Sequence, residues 1–246
     1  VCEVSKHFDQ IELKKINREF VTHTGNIGEK RISVLSTGMG VSNIDIVFNE
    51  LDILSAVNLP ERTLKKQKRI FNIIRLGTTG ALSEAIPLDS IIFSKYAIGT
   101  DGIPHHYEFN KNLFENQLAE LFSTKTNWPK ELASPYAVAA STDLWNKLFD
   151  TQFHQGIYAP QGRQIRIPLK YPCLSDGYKH VDYNNLSITN LEMETAGLYA
   201  FGKIFEHKVL SINVVLANRI TGEFSANPQK AIERMILLSL QKISTL

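Results

Sequence analysis

The chain has 246 residues, of which 43% are hydrophobic and 21% are charged, so it can bury a sizeable core and is not a disordered segment. Its net charge of +2 comes from 27 basic and 25 acidic residues, which argues against nucleic-acid binding through bulk charge and favours a small-molecule partner. The cysteines Cys2 and Cys173 fit a reducing, cytoplasmic compartment, and no apolar run approaches the roughly 18 residues that a membrane span needs.

The N-terminal part predicts a strand, a tight turn and a helix. Residues 32–36 read as a buried strand, and the glycine-containing turn 37–40 follows. Ser42 is expected to cap the helix, with Asp45 in capping-box position. Helical spacing predicts that one buried face carries Ile44, Val47, Phe48, Leu51 and Leu54.

Further strands and helices alternate along the rest of the chain. Strands are expected over 71–76, 90–98, 135–141 and 208–217, the last being the most apolar, and Gly77 is expected to end the first of them. Thr142 is expected to cap a short helix with Leu144, Leu148 and Phe149 facing inward. A helix is expected over 195–205, and Asn227-Pro228 should start a C-terminal helix that buries Ile232, Ile236 and Leu240.

This alternation predicts an α/β fold in which helices cover both faces of a mostly parallel or mixed sheet. We expect a single domain over residues 1–246, because no long Pro/Gly/Ser linker interrupts the pattern. Ligands of such sheets bind beyond the carboxyl ends of the strands. The chemistry is therefore expected just after Leu35, Leu76, Ser141 and Ala217.

The segment from Arg75 to Gly80 could bind an oxyanion. Its Gly-Thr-Thr-Gly turn offers free N–H groups and two hydroxyls, and Arg75 adds a permanent forked positive charge. The alternative interpretation, a tight turn with a surface arginine, is equally compatible with the pattern.

Two carboxylates flank Met193 in the segment Glu192-Met193-Glu194. In an extended stretch Glu192 and Glu194 share one face, where paired carboxylates can hold vicinal hydroxyls such as those of a ribose. On pattern alone, an acidic helix start is the favoured interpretation.

Two weaker candidates are Gln161-Gly162-Arg163 and Asn218-Arg219. The first offers hydrogen-bond donors and an acceptor to a planar heterocycle, although a surface loop is the more common meaning. The second stands at the end of the most apolar strand, where a polar pair can mark a site or simply a strand that reaches solvent.

Several other signals are discounted. The segment 37–43 lacks the third glycine of a dinucleotide fingerprint, and the basic run 62–69 reads as a solvated face. His105-His106 lacks the spacing of metal ligands, so we predict no zinc site.

Taken together, five segments occur in the order found in the trimeric/hexameric nucleoside phosphorylase family, which the chain resembles from about residue 36 to about residue 219. They are 36–40 (Ser-Thr-Gly-Met-Gly), 75–80, 161–163, 192–194 and 218–219. Gln-x-Arg followed by Asn-Arg resembles the uridine phosphorylase branch, whereas the purine branch is expected to carry an aspartate near Asn218.

The resemblance implies the fold, the assembly and the reaction. The fold would be a three-layer α/β/α arrangement with a central mixed, partly barrel-like sheet, assembled as a homo-oligomer, either a dimer or a hexamer of paired subunits. The reaction would be phosphorolysis of uridine to uracil and ribose 1-phosphate, with phosphate as co-substrate and neither a cofactor nor a metal.

The resemblance also implies residue roles, which run from the phosphate to the base. Arg75 and Thr78 would bind phosphate. The nucleoside would be bound by Thr79, Gly80, Gln161, Arg163, Glu192, Met193 and Glu194. The catalytic group would consist of Arg75, Arg163, Glu194 and Arg219.

Two departures from the family pattern concern phosphate. The family carries a Gly-Asp-Pro-x-Arg loop near its N-terminus, whereas residues 1–4 resemble the stretch just after that loop, so either the loop lies upstream of residue 1 or the protein lacks it. The family's cross-subunit phosphate arginine is replaced near His23 and Thr24. The alternatives are a purine nucleoside phosphorylase, a nucleosidase that uses water, and a catalytically silent nucleoside-binding paralogue.

Overall fold

The computed structural model describes residues 1–160 and 175–246. The strands are β1 (Gln10–Asn17), β2 (Phe20–Ile27), β3 (Lys30–Leu35), β4 (Val57–Asn58), β5 (Thr63–Leu64), β6 (Asn72–Ala81), β7 (Ile91–Gly99), β8 (Tyr136–Ala139), β9 (His154–Pro160), β10 (Asp182–Tyr183), β11 (Leu186–Glu192) and β12 (Lys208–Asn218). The α-helices are α1 (Cys2–Ser5), α2 (Val41–Ala56), α3 (Asn116–Lys125), α4 (Thr142–Leu148), α5 (Ser175–Tyr178), α6 (Thr195–Ile204) and α7 (Pro228–Ile243).

The central sheet closes on itself as a mixed barrel. Strand β6 pairs in parallel with β12 and antiparallel with β11, and β12 pairs antiparallel with β7. Strand β9 pairs in parallel with both β7 and β11, which closes the ring, while β8 and β10 extend it at β7 and β11. This confirms the predicted α/β class with a mixed, partly barrel-like sheet.

Helices α6 and α7, both predicted from the sequence, pack against β12. Every residue from Thr195 to Gly202 is buried, because α6 packs between the barrel and α2. Asn227 caps α7 by accepting a hydrogen bond from the Lys230 N–H at 3.1 Å, with Pro228 in the first turn. In the part of the chain that the structure describes, no helix is long and apolar enough to cross a bilayer.

The N-terminal region forms a second, antiparallel sheet in the order β1-β2-β3. The prediction of a buried strand at 32–36 was correct in type but wrong in environment, because β3 is an edge strand whose side chains are exposed or half-buried. Over so few residues, the pattern of apolar side chains in a half-exposed edge strand differs little from that in a buried strand. The sequence therefore did not distinguish the two environments.

The predicted cap of α2 was wrong. Gly40, at φ 85°, is the N-cap, and Ser42 lies inside the first turn. The carboxylate of Asp45 instead accepts hydrogen bonds from the Tyr107 hydroxyl and from Asn49 Nδ2. Leu54 was also misassigned, since it is 52% exposed while Ile44 and Phe48 are buried.

The predicted stop at Gly77 was wrong as well. Strand β6 continues to Ala81, because residues from Asn72 onward pair with β12 as far as Ala81↔Asn218. The Gly-Thr-Thr-Gly segment is therefore strand rather than turn. Cross-strand pairing has supplied the backbone hydrogen bonds that favour the extended form over glycine's weak strand preference.

Ser141, after which chemistry was expected, lies apart from the carboxyl end of β12. Its N–H donates to the Val209 carbonyl at 2.9 Å, which places it beside the start of β12 and away from Asn218. Ser141, rather than Thr142, caps α4, and Phe149 is the C-cap and only half-buried, whereas Leu144 and Leu148 are fully buried.

Candidate active site

A guanidinium group lies in the barrel wall where β6 and β12 pair. Ser211 pairs with Arg75 and Asn213 with Gly77. The Arg75 guanidinium occupies the space where a Cβ on Gly77 would stand, and its Nη1 donates to Asn213 Oδ1. Its side chain is only 14% exposed. The absent side chain at 77 therefore leaves room for the cation inside the wall.

Two carboxylates from the junction of β11 and α6 face this guanidinium. Arg75 Nη2 lies 2.7 Å from Glu192 Oε2 and 2.6 Å from Glu194 Oε2. Both glutamates are buried, while Met193 between them is 45% exposed. The predicted sharing of one face by Glu192 and Glu194 is therefore confirmed.

The two glutamates have different surroundings. Glu192 also accepts hydrogen bonds from the backbone N–H groups of Met193, Glu194 and Thr195 at 2.8–2.9 Å. It therefore stabilises the start of α6, as the interpretation of the segment as an acidic helix start predicts. Glu194 Oε1 accepts from the Gly40 N–H at 2.6 Å, and its Oε2 accepts from Arg75 Nη2. Glu194 is therefore the carboxylate with more capacity for a further donor.

Burial and pairing also separate the two acids electrostatically. Burial raises the pKa of Glu192 despite the opposing charge of Arg75. Burial opposes ionisation of Glu194 too, but hydrogen bonds with Glu192, with the Gly40 N–H and with Arg75 outweigh it and lower its pKa. The site therefore holds an ionised Glu194 beside a permanent cation at neutral pH.

The turn 37–40 reaches the site through its backbone. Gly38 and Gly40 have φ values of 69° and 85°, a region that L side chains rarely adopt. This conformation aims the Gly40 N–H at Glu194, which lies 154 residues away in the chain. Sequence analysis placed the turn in the site but did not identify this donor.

The remaining residues of the β6 segment lie near Arg75 in different environments. Thr78 is exposed, and its hydroxyl makes no hydrogen bond to any described group. Thr79 is buried, donating to the Leu191 carbonyl at 2.7 Å and accepting from Asn190. Its hydroxyl is thus already occupied.

Arg219 lies across Gly80, where an added Cβ would come within 3.2 Å of Arg219 Nε. Its neighbour Asn218 is 4% exposed and uses its whole amide locally. Asn218 Nδ2 donates to the carbonyls of Ser83 and Ile86, and Oδ1 accepts from the N–H groups of Ile220 and Thr221. Asn218 therefore shapes the loop that carries Arg219.

Gln161 and Arg163 lie outside the described residues. Near the N-terminus, His23 is buried with Nδ1 2.7 Å from Ser5 Oγ, and Thr24 Oγ1 lies 2.8 Å from Ser33 Oγ. Neither contacts the Arg75 cluster within the chain. Asn213 is a site residue that sequence analysis missed, although a lone asparagine inside the most apolar strand was the available signal.

The family model described as the phosphorylase superfamily matches residues 1–243. The chain belongs to the phosphorylase superfamily. It is an enzyme of the nucleoside phosphorylase type, a pentosyltransferase.

Relatives of this chain within the phosphorylase superfamily are named for two different kinds of substrate, purine nucleosides and uridine. A DeoD-type purine nucleoside phosphorylase of Thermoanaerobacter sp. (strain X514) is 28% identical over 220 residues, covering 89% of this chain and 78% of the relative. A uridine phosphorylase of Thermococcus kodakarensis is 26% identical over 239 residues, covering 94% and 73% respectively.

A solved structure supports the same fold. The nucleoside phosphorylase of Trypanosoma brucei, whose description states uridine phosphorylase activity, superposes with a TM-score of 0.83 at 21% identity and covers 99% of this chain and 89% of that one. At this identity the likeness establishes the fold of the phosphorylase superfamily.

Proposed function

We propose that the protein catalyses phosphorolysis of a pyrimidine nucleoside, converting uridine and phosphate to uracil and ribose 1-phosphate. The observation that carries this proposal is the Arg75 guanidinium held 2.6–2.7 Å from two buried carboxylates. One cation for an anionic co-substrate and one ionised carboxylate for a sugar stand side by side, as the reaction requires.

In this proposal, phosphate binds at Arg75 and Thr78 and the ribose at Met193 and Glu194. A phosphate oxygen attacks the anomeric carbon as the bond from that carbon to the base nitrogen breaks, and the bonding electrons leave with the base. Positioning of phosphate supplies the proximity contribution. The ionised Glu194 favours the positive charge that develops on the sugar, and the site needs no covalent nucleophile.

Further predicted residues would line the base. Gly80 lies beside Arg219, which would reach the far edge of the ring, and Thr79 precedes Gly80 on β6. Glu192 would hold Glu194 in place. Gln161 and Arg163, assigned by resemblance, would hold the pyrimidine carbonyls and stabilise negative charge on the leaving base. The proposal requires phosphate as co-substrate and involves neither a cofactor nor a metal.

The choice of a pyrimidine rests on Asn218. Its amide has two donors and an acceptor oxygen, and four local hydrogen bonds occupy them. It therefore has no proton to offer a purine ring nitrogen, and the position lacks a titratable acid. The fully occupied amide of Asn218 therefore favours uridine over inosine or adenosine as the substrate.

A homo-oligomer and a cytoplasmic location are part of the proposal. Three exposed apolar side chains on α2 offer a surface for a second copy. They are Ile46, Ile53 and Leu54. The phosphate site would gain a donor if His23 of one copy reached Arg75 of another. The free cysteine Cys2 fits a reducing compartment.

The test is base release from uridine, inosine and adenosine, each with and without phosphate. We expect uracil release that depends on phosphate and yields ribose 1-phosphate. Release without phosphate would identify a nucleosidase, and a preference for inosine or adenosine would refute the pyrimidine assignment. An Arg75→Met variant should lose turnover, whereas Arg69→Met, an exposed arginine outside the site, should retain it.

A further inference from the structure

A closed ring of hydrogen bonds and one ion pair surrounds the buried end of the Arg75 side chain. Asn213 accepts from Arg75 Nη1 and donates through Nδ2 to Ser211 Oγ at 3.0 Å. Ser211 Oγ lies 2.8 Å from Thr195 Oγ1, and the Thr195 N–H donates to Glu192 Oε1 at 2.8 Å. Glu192 Oε2 then returns to Arg75 Nη2 at 2.7 Å.

The ring is built from polar residues that cost folding free energy when they are buried among apolar side chains. Asn213, Ser211 and Thr195 are all 0% exposed, on elements that otherwise bury apolar side chains. A buried amide costs folding free energy unless its polar atoms are paired. An aliphatic side chain at position 213 would stabilise the packing of β12 more than the amide does. We therefore attribute the amide to its contact with Arg75.

We propose that Asn213 is a positioning residue that holds Arg75 in the orientation that receives phosphate; this inference rests on the proposed function. The amide binds one end of the guanidinium while Glu192 and Glu194 bind the other. Because the amide is neutral, it orients Arg75 without adding a third negative charge beside the phosphate site.

Arg75 has N–H groups left over that can bind the ligand. A guanidinium has five N–H donors. Arg75 donates one to Asn213 and one to Glu194, and its Nη2 also forms an ion pair with Glu192. The Nε–H and the second Nη1–H have no acceptor among the described residues. Phosphate can therefore approach Arg75 without breaking the ring, as long as Asn213 keeps the guanidinium from turning fully onto the carboxylates.

Substitutions at 213 separate orientation from charge. Asn213→Ala removes the acceptor from Nη1, and we expect the KM for phosphate to rise about tenfold, the scale of one hydrogen bond to a charged group. Asn213→Asp puts a third carboxylate on Arg75, and the rise should be larger still. The KM for uridine should rise by a smaller factor than the KM for phosphate in both variants, since neither substitution removes an atom from the residues assigned to the sugar or the base.

A purely structural role would give a different pattern. The control Asn49→Ala removes another hydrogen-bonded amide, which donates to Tyr107 at 2.7 Å and to Asp45 on α2, outside the site. It should lower Tm and leave the KM for phosphate unchanged. If Asn213→Ala fails to fold, Ser211→Ala cuts the ring one step further from Arg75 and should raise the phosphate KM by a smaller factor.

A second readout does not depend on turnover. Inorganic phosphate should raise the Tm of the wild-type protein by binding the folded state, and the increase should shrink in Asn213→Ala and vanish in Asn213→Asp. If wild-type protein binds phosphate but cleaves no nucleoside, the proposed function fails while the shifts still test Asn213. Equal phosphate KM values, or equal phosphate-induced shifts, in wild type and both variants would overturn the positioning role.

Discussion

The guanidinium of Arg75 fills the volume that a side chain at Gly77 would occupy. The two residues lie on the same face of β6, two positions apart, and Asn213 stands opposite Gly77 on β12. A glycine in the middle of a strand normally weakens it, so its presence indicates a close approach by another group. Here the close approach brings a cation against two carboxylates.

This relationship predicts the effect of Gly77→Ala. The added Cβ would collide with the guanidinium, and Arg75 would leave its place beside Glu192 and Glu194. We expect kcat/KM for phosphate-dependent uridine cleavage to fall about 10²-fold, comparable to the loss of one electrostatic contact in a transition state. Steady-state kinetics at varied phosphate concentration measure it. Gly28→Ala, in an exposed turn outside the site, is the control. Its φ of 55° makes alanine strained there, so it should lower Tm but keep kcat/KM.

Glu194→Gln tests the ionised carboxylate. The variant keeps the size of the side chain but loses the charge facing Arg75 and places an NH₂ group where the Gly40 or Arg75 donors now point. We expect kcat for uridine to fall about 10²-fold. Activity equal to wild type would contradict the role given to Glu194, and Glu108→Gln, at an exposed site, provides the matched control.

Asn218→Asp tests whether one substitution converts the base preference. Aspartate would point an oxygen at the carbonyls of Ser83 and Ile86, which now accept from Nδ2 at 3.0 and 3.2 Å. We expect a loss of about 2 kcal/mol in unfolding free energy from unmade buried hydrogen bonds, and no gain of inosine cleavage. Urea denaturation and a base-release assay measure the two effects. The control Asn146→Asp changes an exposed helix residue. Appearance of inosine cleavage in Asn218→Asp would contradict the purely local role given to the Asn218 side chain and would show that an acid at this position is enough for purine cleavage.

His207 predicts an acid-sensitive contribution to stability. Its side chain is fully buried, its Nδ1 accepts from the Phe71 N–H at 3.3 Å, and burial lowers its pKa, with Lys68 adding repulsion. The unfolded chain then binds a proton more readily than the folded one. The contribution is present above about pH 6.5 and is lost as pH falls through the lower folded pKa.

Urea denaturation from pH 8 to pH 5 measures this contribution. The free energy of unfolding should decline less steeply in His207→Asn than in wild type over the lower part of that range. His180→Asn, at an exposed histidine, should follow the wild-type curve. Parallel curves for wild type and His207→Asn would show that His207 does not titrate between the two states as proposed.

Much of the architecture follows from local patterns. The apolar run of β12, the Asn227-Pro228 helix start and the helical segment after Glu194 all appear where the sequence predicts them, because burial and capping act over a few neighbouring residues. The candidate site was partly visible too, since Arg75, Glu192 and Glu194 were singled out as residues that carry chemistry. Their order along the chain resembled a family whose membership is now established for residues 1–243.

Local patterns of residues specified most of the helices and strands, whereas the packed fold fixed several of their ends and brought the residues of the site together. Arg75 joins Glu194 across 119 residues and Asn213 across 138, and Glu194 joins Gly40 across 154. These contacts depend on the closure of the barrel and on the register of β6 against β12. The same pairing continues β6 through Gly77 and Gly80. Strand pairing between distant segments is set by the free energy of the whole packed sheet, so no local pattern of residues encodes it.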